Sequence, residues 1–265
     1  MRKPLIVIKL GGSALTDKRK IYTARRPMIH SAAKQVAEIR KHLSVVLVHG
    51  AGSYGHIPVK KFGLENGLKG PKQLKGLVAT KFKLLEWESI LDEIFLKHGV
   101  PLIPFLASDF VVAKNGRISS SELRPFKKWL SLGCIPTVGG DMVPDTKNGF
   151  SILSGDQLAA FLAIILRATR LVFAVDVDGI YDANPKLNPN ANLMEVLTAA
   201  TAVRLLSKAT VDTLPDVTGG MAGKIREAIA ATRQGIPTYF VNLTKNQRLQ
   251  KISLDQKVLC SRIVP

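Results

Sequence analysis

Two glycine-rich loops, each placed directly after a short run of β-branched residues, constrain this chain more than any other feature. Residues 9–13 read Lys-Leu-Gly-Gly-Ser, and residues 49–56 read His-Gly-Ala-Gly-Ser-Tyr-Gly-His. Backbone without Cβ atoms can curl its N–H groups around an anionic oxygen. Two such loops at strand ends predict two phosphate-binding surfaces, one for a nucleotide and one for an acceptor, which is the layout of a small-molecule kinase.

The composition predicts a soluble, globular protein of the cytoplasm. The chain has 265 residues, of which 46% are hydrophobic and 22% charged, enough to bury a large core. Its two cysteines, Cys134 and Cys260, lie far apart, so neither a disulfide framework nor a zinc site is expected. The apolar stretch 158–175 is interrupted by Arg167 and Arg170, which favours a buried helix followed by a strand over membrane insertion.

The formal net charge is +18, and a field this positive attracts nucleotides, phosphorylated metabolites and nucleic acids alike. The sequence has no aromatic RNP-type strand, no helix-turn-helix signature and few aromatic residues that could stack on bases. A solvated basic surface without a specific nucleic-acid partner is therefore favoured. A basic RNA- or anion-binding protein without catalysis is the alternative from another class.

Short apolar runs alternate with helix-compatible stretches along the whole chain. Strands are predicted at residues 5–8, 45–48, 102–105, 135–138, 171–175 and 238–241, and helices at 29–42, 73–98, 156–168, 199–207 and 224–234. This alternation predicts an α/β fold, a three-layer αβα sandwich with a mainly parallel central sheet. The glycine-rich turns then fall at the carboxyl ends of strands, where open α/β sheets bind ligands.

Two further segments, 110–118 and 148–153, each carry an Asn-Gly turn signal and predict hairpins at the sheet edge. No internal repeat or low-complexity linker divides the chain. We therefore predict a single domain over residues 1–265, with residues 1–150 forming an acceptor-binding lobe and residues 151–265 a nucleotide-binding lobe.

In the first loop, the N–H groups of Gly11, Gly12 and Ser13 can hold a phosphate. Lys9 places an ammonium group beside it, and Lys18 could fold back to the same place. We expect both lysines to neutralise charge on the transferred phosphoryl group. The alternative is an ordinary strand-to-helix turn with Ser13 as its cap and exposed lysines.

The second loop satisfies the G-x-G-x-x-G pattern of dinucleotide-binding proteins, but Pro58 and the glycines after it argue against the helix that such a site requires. The loop is still suited to a phosphate. His56, which closes it, could donate a hydrogen bond that orients an acceptor phosphate, or could be a structural cap. His49, at the end of the strand, is predicted to be structural.

A third cluster, residues 176–185, begins Asp-Val-Asp-Gly-Ile-Tyr directly after a strand. The carboxylates of Asp176 and Asp178 could bind a ribose or orient lysines, and Gly179 would let a nucleotide approach Tyr181 and its neighbours. An acidic turn ended by Pro185 is the structural alternative.

The fourth motif, residues 216–224, is similar to a Walker A loop but is one residue too short, and Ile225 stands where a serine or threonine should bind magnesium. Gly219, Gly220 and Lys224 could still present donors to the outer phosphates of ATP. Asp156 opens an apolar helix, so it is predicted to be an N-cap or to hold Lys9 and Lys18 in place through charge pairing.

The order of these motifs resembles the amino acid kinase superfamily and, within it, the isopentenyl phosphate kinase family, over nearly the whole chain. The resemblance implies a homodimer that transfers the γ-phosphate of ATP to isopentenyl phosphate, with Mg²⁺ assumed from phosphoryl chemistry. It implies that ATP is bound by Lys9, Gly11, Gly12, Ser13, Gly52, Asp176, Asp178, Gly179, Tyr181, Gly219, Gly220 and Lys224. It implies that the acceptor phosphate is held by Ala51, Gly52, His56, Gly140 and Gly155, and that Lys18 stabilises the transition state.

Ala51 replaces a more usual glycine, which is tolerable if its φ is negative. The nearest rivals are other kinases of the superfamily that act on fosfomycin, a nucleoside monophosphate or an amino acid. A prenyl tail would need an apolar pocket, for which one helical stretch offers candidates that core packing explains equally well: Phe82, Leu85, Ile90, Ile94 and Phe95.

Overall fold

The computed structural model describes residues 3–17, 20–185, 187–208 and 220–265, with residue 208 described by its main chain alone. In these ranges the strands are β1 (Leu5–Leu10), β2 (Ser44–His49), β3 (Leu102–Phe105), β4 (Val111–Lys114), β5 (Arg117–Ser121), β6 (Ile135–Gly139), β7 (Asp141–Asp145), β8 (Gly149–Leu153), β9 (Arg170–Val175), β10 (Val196–Thr198), β11 (Thr238–Asn242) and β12 (Ser261–Val264).

The helices of the same ranges are α1 (Gly12–Leu15), α2 (Arg26–His42), α3 (Gly52–Phe62), α4 (Pro71–Lys97), α5 (Arg124–Ser131), α6 (Gly155–Ile165), α7 (Ala199–Lys208), α8 (Gly220–Thr232) and α9 (Arg248–Ser253). An eight-stranded sheet has the order β10-β12-β11-β9-β1-β2-β6-β3. Neighbouring strands in it are parallel except β11 with β12. The predicted α/β class with a mainly parallel sheet is confirmed.

Helices cover both faces of this sheet because successive side chains of a strand point to opposite sides. In β1, Ile6 and Ile8 pack in a core with α2, α4 and α9. Val7, between them, packs in a second core with α5, α6, α7 and α8. All three strand residues are fully buried, which is why the strands read as continuous apolar runs rather than as alternating ones.

The predicted hairpins form a separate four-stranded sheet of order β5-β4-β7-β8. A small third core lies between this sheet and the helices α3 and α4. It contains Val59, Leu64, Leu84, Met142 and Phe150. The second sheet therefore stands over the glycine-rich edge of the main sheet and forms a wall there.

The segment after the second glycine loop differs from our expectation. We expected Pro58 and the following glycines to prevent a helix, but α3 contains Pro58. A proline there removes one i→i−4 hydrogen bond, and α3 ends soon after it at Phe62, followed by Gly63, whose φ of 63° is left-handed. The helix begins at Gly52 rather than at Gly55, so the loop still departs from the dinucleotide-binding pattern.

The order of strands places the functional loops together. β9, β1, β2 and β6 are consecutive and parallel, so their carboxyl ends share one edge of the sheet. The loops that leave this edge begin at Asp176, Gly11, Gly50 and Gly140. The motifs that begin at residues 9, 49 and 176 are thereby brought side by side, together with the Gly140 turn.

One half-buried carboxyl group of α4 predicts how stability depends on pH. Burial, reinforced by the nearby carboxylate of Glu88, raises the pKa of Asp92 from 3.8 to about 7. Because the folded-state pKa lies above the unfolded value, the protein loses stability as pH rises from about 4 to about 7. We expect Asp92→Asn to raise the melting temperature at pH 8 and to leave it nearly unchanged at pH 4. The exposed neighbour variant Glu93→Gln serves as the control, and a gain at pH 4 as large as that at pH 8 would contradict the prediction.

Candidate active site

A cleft of about 490 Å³ opens where the glycine-rich edge of the main sheet meets the second sheet. Residues from β1, α3, α6 and α8 line it together. Among them are nine residues predicted to bind ATP or the acceptor: Lys9, Gly12, Ser13, Ala51, Gly52, His56, Gly140, Gly155 and Lys224. Two loops that are far apart in sequence therefore face one space.

The first and second glycine loops pack main chain against main chain. A Cβ on Gly12 would lie 2.8 Å from the amide nitrogen of Gly52, and a Cβ on Gly50 would lie 2.6 Å from the amide nitrogen of Gly12. Gly52 also has a φ of +51°, and a Cβ there would lie 2.1 Å from Oγ1 of Thr16. Side chains at these positions would push the loops apart, so the glycines set the distance between the two loops.

Two of the longer helices begin at residues that line the cleft: α3 at Gly52 and α6 at Gly155. The first-turn N–H groups of a helix have no acceptor inside it, and the helix dipole makes that end partly positive. Anions bind readily at such ends. The cleft therefore offers main-chain donors as well as lysine side chains to a phosphate.

A buried carboxylate joins Lys9 and Lys224, which both line the cleft. Lys9 Nζ lies 2.8 Å from Asp156 Oδ1, and Lys224 Nζ lies 3.2 Å from Asp156 Oδ2. Lys9 and Asp156 are each only 4% exposed. Burial by itself would raise the pKa of Asp156, but the ammonium groups of Lys9 and Lys224 outweigh it and hold the pKa below the usual value of 3.8. Asp156 is thus an anion at neutral pH that fixes two cations in the cleft.

The predicted pairing of Lys9 with Asp156 is present, but the prediction that Asp156 is the N-cap of α6 is wrong. The N-cap of α6 is Ser154, whose Oγ accepts the N–H of Gln157 at 3.1 Å. Asp156 lies one position inside the helix, where a carboxylate also interacts well with the helix N-terminus. Lys224, separated from Asp156 by 68 residues, is the second partner that sequence spacing could not assign.

Several predicted nucleotide-binding residues lie outside the cleft lining. The N–H of Gly11 donates to the carbonyl oxygen of Ala174 at 2.8 Å. Asp178 accepts hydrogen bonds from Asn242 Nδ2 at 2.9 Å and from Arg248 Nη1 at 2.6 Å. The N–H of Gly11 and the carboxylate of Asp178 therefore already have hydrogen-bond partners within the fold.

The rest of the third cluster lies along the same sheet edge, after β9. A Cβ on Gly179 would lie 2.3 Å from Oγ of Ser261, so close packing explains this glycine. Tyr181 forms an isolated bridge with Leu193. Asp176 directly follows β9. The predicted residues Lys18 and Gly219 lie outside the described residues.

The apolar part of the cleft differs from the tail pocket proposed from sequence. Phe82 and Leu85 are 67% and 44% exposed, and Ile90, Ile94 and Phe95 belong to the core with α2. The cleft is instead lined by Val59 of α3, by a different stripe of α4 and by the second sheet: Thr80, Leu84, Met142, Ile152 and Leu153. Leu85 lies about 100° around α4 from Leu84, which is the residue that faces the cleft.

Asp145, which the sequence did not point to, joins two turns of the cleft wall through hydrogen bonds to its carboxylate. Its carboxylate accepts the N–H groups of Asn115, Gly116, Lys147 and Asn148 and the hydroxyl of Ser151. Burial would raise the pKa of Asp145, but these donors outweigh it and lower the pKa well below 3.8. The Asn-Gly turn signals indicated the turns, yet not the side chain that joins them.

The described residues do not gather three or more His, Cys, Asp or Glu side chains into a group that could hold a metal ion. Across the same parts of the chain, no helix is both long enough and apolar enough to cross a membrane.

Two anion-holding surfaces that face one cleft are what a phosphotransferase for small molecules requires, because the donor and acceptor phosphates must meet. The chain belongs to the amino acid kinase family, whose model matches residues 4–242. The isopentenyl phosphate kinase of Methanothermobacter thermautotrophicus is 31% identical over 266 residues, which cover 98% of each chain. The isopentenyl phosphate kinase of Arabidopsis thaliana is 33% identical over 77% of this chain and 66% of its own. X-ray structures of isopentenyl phosphate kinase superpose with a TM-score of 0.85 at 29% identity, covering 98% of this chain and 100% of theirs.

Proposed function

We propose that this protein transfers the γ-phosphate of ATP to isopentenyl phosphate, giving isopentenyl diphosphate and ADP. The observation that carries the proposal is the Lys9–Asp156–Lys224 network inside a cleft that both glycine loops enter. The similarity to isopentenyl phosphate kinases over 98% of the chain supports the choice of acceptor.

In the proposed reaction, an oxygen of the acceptor phosphate bonds to the γ-phosphorus while the bond from that phosphorus to the β–γ bridging oxygen breaks. A phosphate oxygen is already anionic, so the step needs positioning and charge neutralisation more than a strong base. Lys9 and Lys224 provide the charge, and Asp156 holds both ammonium groups so that little reorganisation accompanies the transfer. Lys18 is proposed to add a third cation.

The nucleotide is proposed to bind on the side of residues 151–265, against α8 and the loop after β9. Asp176, Asp178, Gly179 and Tyr181 would lie near its sugar rather than its phosphates, since they are outside the cleft lining. The glycines close to the cleft fit the ATP phosphates because main chain can approach there without a Cβ. Mg²⁺ is proposed to accompany the β- and γ-phosphates and to neutralise their charge.

The acceptor is proposed to lie on the side of residues 1–150. Ala51, Gly52, His56, Gly140 and Gly155 would surround its phosphate. The short branched tail would then contact Leu84, Met142 and their neighbours, which belong to the third core. Burial of a five-carbon tail is worth about 0.8 kcal/mol for each CH₂ group, which is enough to favour an apolar acceptor.

We also propose a homodimer in the cytoplasm. The exposed side chains of Leu85 and Leu96 lie beside the edge strand β3 and give an apolar surface that a second copy could cover. Cys134 and Cys260 are free thiols, a state typical of a reducing compartment. The molar mass measured by light scattering tests the dimer.

A direct assay tests the proposed activity. Purified protein is incubated with ATP, Mg²⁺ and one of three acceptors: isopentenyl phosphate, UMP or fosfomycin. We expect conversion of isopentenyl phosphate to a diphosphate whose coupled ³¹P signals identify it, with little turnover of the others. Turnover of UMP or fosfomycin, but not of isopentenyl phosphate, would contradict the proposed substrate. Tight RNA binding that persists at raised salt, without turnover of any acceptor, would favour the anion-binding alternative.

His56→Ala tests the acceptor side of the cleft. His56 lies in α3 and lines the cleft, where its imidazole can donate to the acceptor phosphate. We expect kcat/KM for isopentenyl phosphate to fall by about 10²-fold, while the Kd for ATP changes by less than about threefold. His42→Ala, at the exposed end of α2, is the matched control. Equal losses for both ligands would refute the assigned role.

A further inference from the structure

Three buried side chains behind the second glycine loop take no part in the proposed mechanism: His49, Trp87 and Glu88. His49 is the last residue of β2, and the other two are neighbours on α4. They are 2%, 0% and 6% exposed, and none of them lines the cleft. Polar groups are costly to bury without hydrogen-bond partners, so their contacts with one another are informative.

The hydrogen-bond network assigns one tautomer to His49. The indole N–H of Trp87 can only donate, and it lies 3.1 Å from Nδ1 of His49, which must therefore accept. The proton of the imidazole is then on Nε2, which donates to Glu88 Oε2 at 2.6 Å. A Cβ on Gly139 would lie 2.5 Å from Cε1 of His49, so main chain confines the ring on a third side.

The same residues hold main-chain groups of the cleft loops. The Trp87 N–H also lies 3.1 Å from the carbonyl oxygen of Gly50. The carbonyl oxygen of His49 accepts the N–H of Gly140 at 3.2 Å. A Cβ on Gly155, the first residue of α6, would lie 2.8 Å from that oxygen. His49 thus stands where the second loop, the Gly140 turn and the start of α6 meet.

We propose that Trp87, His49 and Glu88 are positioning residues that set the distance between the acceptor-phosphate loop and the N-terminus of α6. From α4, Trp87 and Glu88 hold the imidazole ring of His49 in place. The ring in turn holds the main chain of residues 49–50, which contacts both the acceptor-phosphate loop and the start of α6. This inference depends on the proposed function only in taking isopentenyl phosphate as the acceptor. A shift of about 1 Å in such a contact can cost about 10²-fold in rate, although none of these side chains touches the reacting atoms.

A matched pair of variants at Glu88 tests the proposal through kcat and KM. Glu88→Leu keeps much of the side-chain volume but cannot accept the His49 proton, whereas Glu88→Gln retains an acceptor oxygen. We expect Glu88→Leu to lower kcat by about 10- to 100-fold with KM for ATP within about twofold, and Glu88→Gln to restore kcat to within about threefold. Glu86→Gln, nearby on α4 and exposed, is the control and should match the wild type.

A second measurement does not depend on activity or on a variant that folds. Long-range ¹H–¹⁵N NMR spectra of the wild-type protein report which nitrogen of His49 carries the proton, and the proposal requires Nε2–H with an unprotonated Nδ1. The Nδ1–H tautomer or an imidazolium at neutral pH would overturn it. Wild-type kcat in Glu88→Leu, or equal losses of kcat in the leucine and glutamine variants, would also overturn it. If the wild type phosphorylates UMP instead of isopentenyl phosphate, the proposed function fails, and the same variants assayed with UMP still test the network.

Discussion

Asp156→Asn is expected to lower kcat by about 10²- to 10³-fold and the free energy of unfolding by about 3 kcal/mol. The carboxylate is 4% exposed and pairs with Lys9 and Lys224 at once. Asparagine keeps the shape but not the charge, so two ammonium groups in the cleft lose their common counterion. Breaking a buried ion pair on one side is strongly destabilising because the remaining charge stays buried.

Steady-state kinetics and thermal unfolding across pH measure these losses. Because the folded-state pKa of Asp156 is depressed, its stabilisation is complete above the ordinary value of 3.8 and disappears as pH falls through the folded-state pKa. The melting temperatures of wild type and Asp156→Asn should therefore differ at pH 7 and converge in acid. Asp255→Asn, which breaks an ion pair whose carboxylate is 73% exposed, is the control. A difference that stays constant down to pH 2 would contradict the role of the ionised carboxylate.

The second large effect is expected for Lys9→Met, which removes a buried ammonium group beside the first glycine loop. We expect kcat to fall by about 10³-fold, because the charge on the transferred phosphoryl group then relies on the remaining cations. Arginine should not restore activity. A Cβ on Gly155 would already lie 3.4 Å from Cε of Lys9, so the larger guanidinium has little room.

Single-turnover measurements with saturating ATP separate this loss of chemistry from weaker nucleotide binding. Lys83→Met is the matched control, since the half-exposed Lys83 pairs with Glu86, lies over the ring of Tyr22 and does not line the cleft. We expect that variant to keep the wild-type rate. Recovery of more than about a tenth of the wild-type rate in Lys9→Arg would show that charge alone, without the ammonium geometry, is sufficient.

Local patterns in the sequence were sufficient to predict most of the fold. Every predicted strand is present because buried parallel strands read as short apolar runs, and the hairpins follow from their Asn-Gly turns. The glycine loops that line the cleft could also be recognised, because the sequence itself shows where glycines, which lack a Cβ, occur. Contacts between distant elements could not be read in this way.

The features that sequence reasoning missed are set by tertiary packing. Lys224 pairs with Asp156 only because α8 and α6 pack side by side. The apolar lining uses Leu84 rather than Leu85, and a shift of one residue turns a helical side chain by about 100°. The carboxylate of Asp178 pairs with Arg248, which is 70 residues away in the chain. A spacing rule cannot supply such partners.

We propose that one cleft holds donor and acceptor phosphates between Lys9, Lys224 and the glycine loops. The most direct measurement is a crystal structure of the protein with a non-hydrolysable ATP analogue and isopentenyl phosphate bound together. We expect the acceptor phosphate beside Gly52 and His56, with the terminal phosphate of the analogue within hydrogen-bond distance of both lysines. Phosphates held in two separate sites, or an acceptor bound away from the glycine loops, would contradict it.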